Sequence, residues 1–244
     1  MRNRIGLLKK LLNLLISMRN LCIIPARGGS KRIPRKNIKD FLGKPIIAYS
    51  IEAALSSGCF DEVMVSTDDN EISEIAIQYG AKVPFMRSDK TANDYATTAD
   101  VIIEVLDKYK EFNIEFDTVT CIYATAPFVT TEKIKEGYKM LKNNIDSVFT
   151  CVQFSYPIQR GLRIVDGKIS MANPENKNKR SQDLEPIYHD AGQFYISNID
   201  AFRRTKSFWG ENTAGLILTE LEVQDLDTLT DWAIAEMKYK ILKG

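Results

Sequence analysis

A run of cationic side chains around a glycine turn is the part of this sequence whose residue types best suit chemistry. Six lysines and arginines come before the first acidic residue of the stretch, Asp40. They are Arg27, Lys31, Arg32, Arg35, Lys36 and Lys39. The Gly28-Gly29-Ser30 turn within the run has little side-chain bulk, so its backbone N–H groups can close around an anion. The turn and the charges together predict a phosphate site.

The apolar run before this turn indicates where such a site would lie. Leu21–Ile24 has the length and β-branched character of a buried strand. Pro25 ends that strand, because proline lacks the backbone donor that a ladder needs. Open α/β sheets bind ligands at the carboxyl ends of their strands, and this position favours a nucleotide phosphate.

Two other interpretations of the basic run remain open on the residues alone. The sequence contains neither GxxxxGK[ST] nor GxGxxG, so the run is a solvated loop, a nucleic-acid patch or a phosphate site of another type. The net charge of the whole chain is only +1, which argues against nucleic-acid binding because that function favours a strongly basic domain.

A second candidate site is the pair of carboxylates Asp225 and Asp227 near the end of the chain. On an extended segment they alternate, so both would face one side, where phosphate oxygens and waters could complete a Mg²⁺ site. The alternative is that Asp227, just before Thr228, caps the final helix.

Strand and helix patterns alternate along most of the chain, which predicts an α/β fold with parallel pairing and right-handed crossovers. The predicted strands are 21–24, 62–66, 82–85, 118–123, 146–152, 188–197 and 216–218. The predicted helices are 44–57, 70–79, one that starts near Thr97 and Thr98, 133–141, and a final one that buries Trp232, Ala235 and Tyr239. The helix 44–57 is predicted to bury Leu55 on its apolar face and to end at Gly58.

Residues 162–171 interrupt this alternation. They form a hairpin pattern around Asp166-Gly167, followed by a polar, basic loop. The first twenty residues are basic and leucine-rich and lack a signal-peptide pattern. Residues 1–18 are interpreted as an N-terminal extension with the working start at Met18, and a surface-lying amphipathic helix is the alternative. No segment has the length of a membrane span. Four widely spaced cysteines favour reduced thiols and a cytoplasmic protein.

Several of these motifs, in one order, resemble a known family. ARGGSKRIPRKN, followed by GKPIIAYSIEAA, STDDNEI, the Arg87 segment and DLDT, resembles the CMP-sialic acid synthetase (acylneuraminate cytidylyltransferase) family over about residues 20–240. HDAGQFY near residue 190 is similar to the pseudaminic acid cytidylyltransferase branch. The resemblance implies a mostly parallel, doubly wound sheet of the nucleotide-diphospho-sugar transferase type. It also implies one domain, 19–244, in which about 154–186 form a dimerisation and sugar-pocket insertion of a homodimer.

The resemblance also assigns roles to individual residues. It implies that the nucleotide is bound by Arg27, Gly28, Gly29, Ser30, Lys31, Lys36, Asn37, Arg87 and Thr97, of which Arg27, Lys31 and Lys36 are catalytic. It implies that the sugar is bound by Tyr123, Arg180, Gln193 and Tyr195, and that Mg²⁺ is held by Asp225 and Asp227. The chain departs from the family pattern where Tyr123 replaces glutamine, Arg32 replaces glycine and Gln159 replaces lysine.

The implied reaction joins CTP and pseudaminic acid, giving CMP-pseudaminate and pyrophosphate, for surface or flagellin glycosylation. The implied partners are therefore CTP and an acidic nonulosonate, with no nucleic acid and no membrane insertion. The same chemistry on sialic or legionaminic acid is the first alternative. A glycosyltransferase would need its Asp-x-Asp in mid-chain, and an anion- or RNA-binding module would bind without releasing pyrophosphate.

Overall fold

A six-stranded sheet forms the centre of the computed structural model, which describes residues 19–142 and 144–244. The predicted extension 1–18 lies outside the described residues. The strands, numbered along the chain, are β1 Asn20–Pro25, β2 Asp40–Phe41, β3 Lys44–Pro45, β4 Glu62–Ser66, β5 Thr118–Ile122, β6 Ser147–Gln153, β7 Leu162–Val165, β8 Lys168–Met171, β9 Tyr188–Asn198 and β10 Thr213–Leu218. Their order across the central sheet is β10-β6-β9-β5-β1-β4.

The sheet is mostly parallel, as predicted. Strand β1 pairs in parallel with β4 and β5, and β10 pairs in parallel with β6. Strand β9 runs antiparallel between β5 and β6. It enters the sheet directly after the inserted hairpin, so it returns from the carboxyl edge rather than through a crossover helix. The carboxyl ends of β1, β4 and β5 therefore share one edge.

Six helices are present in the described residues, and they cover both faces of the sheet. They are α1 Ile46–Ser57, α2 Asn70–Gln78, α3 Thr98–Glu111, α4 Thr131–Met140, α5 Ile199–Thr205 and α6 Leu229–Lys243. Alternate residues of β1 face opposite sides of the sheet. Cys22 and Ile24 join the core with α1, α2 and α4, whereas Leu21 and Ile23 join the core with α3 and α5. Burial on both faces explains why β1 is a continuous apolar run.

Two local predictions about the first half of the chain are wrong. The first helix begins at Ile46, because Lys44–Pro45 pair with Asp40–Phe41 in a small antiparallel ladder, and its Leu55 is 43% exposed. The predicted strand 82–85 is reduced to one parallel bridge between Lys82 and Met64. Pro84 explains this difference, because it has no N–H to continue a ladder.

The predicted hairpin is present as β7 and β8, joined by Asp166 and Gly167 with φ of 50° and 73°. Two consecutive positive φ angles give the turn type whose twist suits a tight hairpin. The insertion begins where Phe154 donates its backbone N–H to the Ile187 carbonyl at 3.0 Å. The hairpin exposes its apolar side chains, with Ile164 73% exposed. None of the described helices is long and apolar enough to cross a membrane.

Candidate active site

A cleft of about 310 Å³ opens where β1 and β5 end, and we call it the basic cleft. Its lining contains five cations: Arg27, Lys31, Arg32, Lys36 and Arg87. Three further residues predicted for the nucleotide also line it, namely Ser30, Asn37 and Thr97. The fold thus brings together seven of the nine predicted nucleotide residues, from three separate parts of the chain: residues 27–37, Arg87 and Thr97. Gly28 and Gly29 are the two that do not line the cleft.

A second cleft, of about 420 Å³, adjoins the first, and we call it the acidic cleft. Tyr123 and Thr125, which follow β5, line both clefts. The acidic cleft is further lined by Asp190, Asp225 and Glu220, with Lys238 beside them. A phosphate compound in the basic cleft and a second molecule in the acidic cleft would meet at Tyr123.

The Gly28 amide of the glycine turn has a partner within the fold. Gly28 donates its N–H to Asp68 Oδ1 at 2.9 Å, so this amide is not free for a phosphate. A Cβ on Gly28 would lie 2.6 Å from Asp69 Oδ2, so the position requires glycine. The buried Asn37 side chain donates to the Arg27 carbonyl at 2.9 Å. These contacts hold the turn so that the Arg27 side chain enters the cleft.

Four of the six cations of the basic run, Arg27, Lys31, Arg32 and Arg35, form ion pairs with acids from other parts of the chain. Arg35 pairs with Asp69 through both terminal nitrogens, and this pairing lowers the pKa of Asp69 to about 2. Arg27 and Lys31 both contact Asp94. Arg35 therefore serves the structure of the turn, while Arg27 and Lys31 remain in the cleft.

Lys36 connects the turn to the carboxylate segment near the end of the chain. Its Nζ donates to the Leu226 carbonyl at 2.7 Å. Burial lowers the pKa of Lys36, and the nearby charges of Asp227 and Asp225 oppose that shift. The ammonium group is thus held between the basic run and both carboxylates.

Arg87 is the most deeply placed of the five cations, with 8% of its surface exposed. Its Nε donates to Ser66 Oγ at 3.1 Å, and its Nη2 donates to the Ser66 carbonyl at 2.5 Å. Burial lowers the pKa of its guanidinium, while the charges of Asp68 and Glu104 oppose that shift. These contacts fix the Arg87 side chain beside the end of β4.

The structure bears on the prediction that Asp227 could cap the final helix. Thr228 is the N-cap of α6, and Asp231 completes a reciprocal capping box with it. Asp227 instead forms an ion pair with Arg32. The helix cap therefore does not use the Asp227 carboxylate. Asp225 is exposed and lines the acidic cleft, whereas Asp227 is paired with Arg32, which lines the basic cleft.

The residues predicted for the sugar differ in their placement. Tyr123 lines both clefts, whereas Gln193 and Tyr195 are buried behind the acidic cleft. Gln193 donates to the Glu222 carbonyl, and the Tyr195 hydroxyl donates to Asp190 Oδ2 at 2.7 Å. Burial is the main cause that raises the pKa of Tyr195, so its hydroxyl stays protonated and orients the Asp190 carboxylate.

Arg180 lies outside both clefts of its own chain. Its Nε and Nη2 donate to the two carboxylate oxygens of Asp183 at 2.8 and 2.9 Å, and its side chain is 71% exposed. The residue sits in the loop between β8 and β9, as the sequence predicted. Within one chain the structure therefore does not bring Arg180 to the site.

Comparison with known proteins identifies the family. A family model described as Cytidylyltransferase matches residues 21–214. The chain belongs to the cytidylyltransferase family. This cytidylyltransferase is 44% identical over 226 residues to the pseudaminic acid cytidylyltransferase of Campylobacter jejuni. The aligned residues cover 92% of this chain and 97% of that relative. The predicted resemblance and the predicted nucleotidyltransferase activity are confirmed.

Two further comparisons bear on the cytidylyltransferase. The CMP-N,N'-diacetyllegionaminic acid synthase of Legionella pneumophila is 38% identical over 226 residues, 90% of this chain and 95% of that relative. The solved structure of CMP:2-keto-3-deoxy-manno-octonic acid synthetase complexed with CTP matches with a TM-score of 0.66 at 18% identity, over 92% of this chain and 99% of that one. The latter similarity shows the fold alone, and it confirms the predicted fold class.

Sequence reasoning about the cytidylyltransferase missed four acids that organise its two clefts: Asp68, Asp69, Asp94 and Asp190. Asp68 and Asp69 follow β4, at the same sheet edge as the basic run, and this shared edge is a signal that could have indicated them. Asp94 lies in a loop without a regular pattern, so the sequence alone offered no signal for its position.

Proposed function

We propose that this protein transfers CMP from CTP to the anomeric hydroxyl of pseudaminic acid and releases pyrophosphate. The observation that carries the proposal is the adjoining pair of clefts, one cationic and one acidic, that meet at Tyr123. The 44% identity to the Campylobacter jejuni enzyme supports pseudaminic acid as the sugar. CMP-pseudaminate would then serve as a donor for surface or flagellin glycosylation.

In the proposed mechanism the basic cleft holds the triphosphate. Arg27, Lys31 and Lys36 neutralise its charge, and Arg87 lies deeper at the end of β4. The hydroxyl oxygen of the sugar attacks the α-phosphorus, while the bond to the oxygen that bridges to the β-phosphorus breaks. The negative charge then moves onto the departing pyrophosphate, where positioned cations stabilise it most.

Asp225 and Asp227 are proposed to hold Mg²⁺ together with phosphate oxygens. No group of three or more metal-ligating side chains occurs in residues 19–142 and 144–244. A site of two carboxylates fits a cation that is shared with the substrate, which is the usual form of a Mg²⁺ site. When bound there, the metal would withdraw charge from the phosphates and favour ionisation of the sugar hydroxyl.

The acceptor carboxylate needs a cation, and the lysine that lines the acidic cleft in the described part of the chain is already engaged with backbone carbonyls. Lys238 is the cation of that lining, and its Nζ donates to the Glu220 and Val223 carbonyls at 2.9 and 2.7 Å. Arg180, on the exposed insertion, is proposed to enter the site of a second subunit, where its guanidinium would bind the carboxylate with two donors. We therefore propose that the protein acts as a homodimer.

A cytoplasmic location is part of the same proposal. All four cysteines are free thiols in the structure: Cys22, Cys59, Cys121 and Cys151. Burial raises the pKa of Cys22 and Cys121, which keeps these thiols protonated and unreactive. Free thiols and a CTP-dependent reaction both fit a reducing compartment that contains nucleotides.

The test is pyrophosphate release with each nucleoside triphosphate and each nonulosonate. We expect CTP to exceed ATP, GTP and UTP strongly, and pseudaminic acid to exceed legionaminic and sialic acids. Equal turnover with UTP would contradict the cytidylyl assignment. Salt-sensitive polyanion binding without any pyrophosphate release would instead favour the anion- or RNA-binding module.

Subunit mixing tests the role of Arg180. In a mixed dimer of Arg180→Ala and Lys36→Ala chains, one site receives an intact Lys36 and an intact Arg180. At equal concentrations, activity should return to about a quarter of the wild-type value, because half of the dimers are mixed and each has one intact site. Absence of recovery, despite demonstrated subunit exchange, would show that Arg180 does not act across the dimer.

A further inference from the structure

Asp94 contacts two of the cations that line the basic cleft. Arg27 Nη1 donates to Asp94 Oδ1 at 2.6 Å, and Lys31 Nζ donates to Asp94 Oδ2. Hydrogen bonds from Lys31, and next from Arg27, lower the pKa of the Asp94 carboxyl, so it stays ionised. The Asp94 carboxylate therefore occupies the position beside Arg27 and Lys31 that the phosphates of a nucleotide would need.

The loop that carries Asp94 is built in a way that holds the carboxylate there. On the side of the loop that precedes Asp94, Ser88 donates its N–H and its hydroxyl to the Glu104 carboxylate of α3, both at 2.8 Å. Beside it, Asn93 Oδ1 accepts the backbone N–H groups of the two residues after Asp94, at 2.9 and 3.1 Å. Thr97 then caps α3. Asp94 thus lies at the tip of a loop that is anchored on both sides.

We propose that Asp94 is an internal competitor for the triphosphate, a carboxylate that phosphate oxygens must displace from Arg27 and Lys31. This inference rests on the proposed function, because that function assigns the phosphates to the same two cations. It adds a residue that sets the affinity of the site. Asp94 would also return to the cations as pyrophosphate departs and so promote its release.

The exposure of Lys31 and Asp94 to solvent indicates that their ion pair would weaken phosphate binding rather than prevent it. The Lys31 side chain is 78% exposed and the Asp94 side chain is 41% exposed. Ion pairs in contact with water are weak, because solvent screens both charges. A polyphosphate, which carries several charges and several acceptor oxygens, can therefore replace a single carboxylate.

The test compares two matched variants, Asp94→Asn and Asp89→Asn. Asp89 lies in the same loop, is exposed, does not line the basic cleft and has no ion pair within the described part of the chain. Each variant removes one negative charge with little change of shape. Binding of pyrophosphate is measured by titration calorimetry without metal ions at fixed ionic strength.

We expect Asp94→Asn to bind pyrophosphate about 3- to 10-fold more tightly than the wild type, and Asp89→Asn to stay within about 2-fold of it. If Asp94→Asn binds equally or more weakly while the wild type binds, Asp94 is not a competitor and the proposed function is untouched. If the wild type and both variants fail to bind pyrophosphate, the inference and the proposed phosphate site fall together. An equal gain in both variants would show a general charge effect and also overturn the inference.

Discussion

Replacing Lys36 with alanine should lower turnover by about 30- to 1,000-fold, which corresponds to about 2–4 kcal/mol of transition-state stabilisation. The Lys36 ammonium is half buried between the basic run and the carboxylates of Asp225 and Asp227, so water cannot replace it readily. In the variant, the negative charge that develops on the departing pyrophosphate would no longer be stabilised by the Lys36 ammonium. The measurement is pyrophosphate release at saturating CTP and sugar, because the lost contact strengthens in the transition state.

Two further variants make this result specific. Lys36→Arg should recover only part of the rate, since a planar guanidinium replaces a compact ammonium in a fitted position. Lys39→Ala is the matched control, because Lys39 belongs to the same basic run but lies over the Trp232 ring at 5.4 Å. It should retain nearly full activity. Near wild-type turnover in Lys36→Ala would instead assign Lys36 to a solvated loop.

Local patterns were sufficient to predict most of the fold. The strand Glu62–Ser66 has the predicted bounds, and the helix predicted to start near Thr97 and Thr98 begins at Thr98, with Thr97 as its N-cap. Apolar runs and caps are properties of neighbouring residues, so a sequence shows them directly. The helix start at Ile46 could not be seen in this way, because Lys44–Pro45 form a ladder with Asp40–Phe41 that competes with helix formation.

The site was predictable only as far as it is local. The basic run predicted where the cations are, and the fold places five cations in one cleft. Their partners are remote: Asp94 is 67 residues from Arg27, and Leu226 is 190 residues from Lys36. No spacing rule connects residues so far apart. A charge that looks uncompensated in a sequence can therefore be paired in the fold, as Arg27 is.

The charges of the two clefts bear on where each substrate is proposed to bind. Cations gather where the triphosphate is proposed to lie, whereas Asp190 and Asp225 line the neighbouring cleft. An acidic sugar would be repelled there unless its carboxylate points away from these acids. In the proposed reaction this arrangement favours a cation from a second subunit, and it would direct the sugar hydroxyls rather than the carboxylate toward Asp190.

Asp227→Asn should reduce turnover on the order of 100-fold and raise the Mg²⁺ concentration that gives half of the maximal rate. Asparagine keeps the size of the side chain but lacks the charge that a hard cation requires. Binding of CTP without metal should survive, because Arg27, Lys31 and Lys36 are unchanged. Added Mg²⁺ should recover part of the lost rate by mass action.

Asp231→Asn is the matched control, and it should give the opposite pattern. Asp231 accepts hydrogen bonds from the N–H and the hydroxyl of Thr228, at 2.7 and 2.8 Å, in the capping box of α6. Its neutralisation weakens the favourable interaction with the helix N-terminus. It should lower the midpoint of thermal unfolding and leave the Mg²⁺ titration unchanged. Asp227→Asn should leave that midpoint nearly unchanged, because its ion pair with Arg32 is exposed to water. If both variants lower stability and neither alters the Mg²⁺ dependence, Asp227 has a structural role and the metal must be held elsewhere.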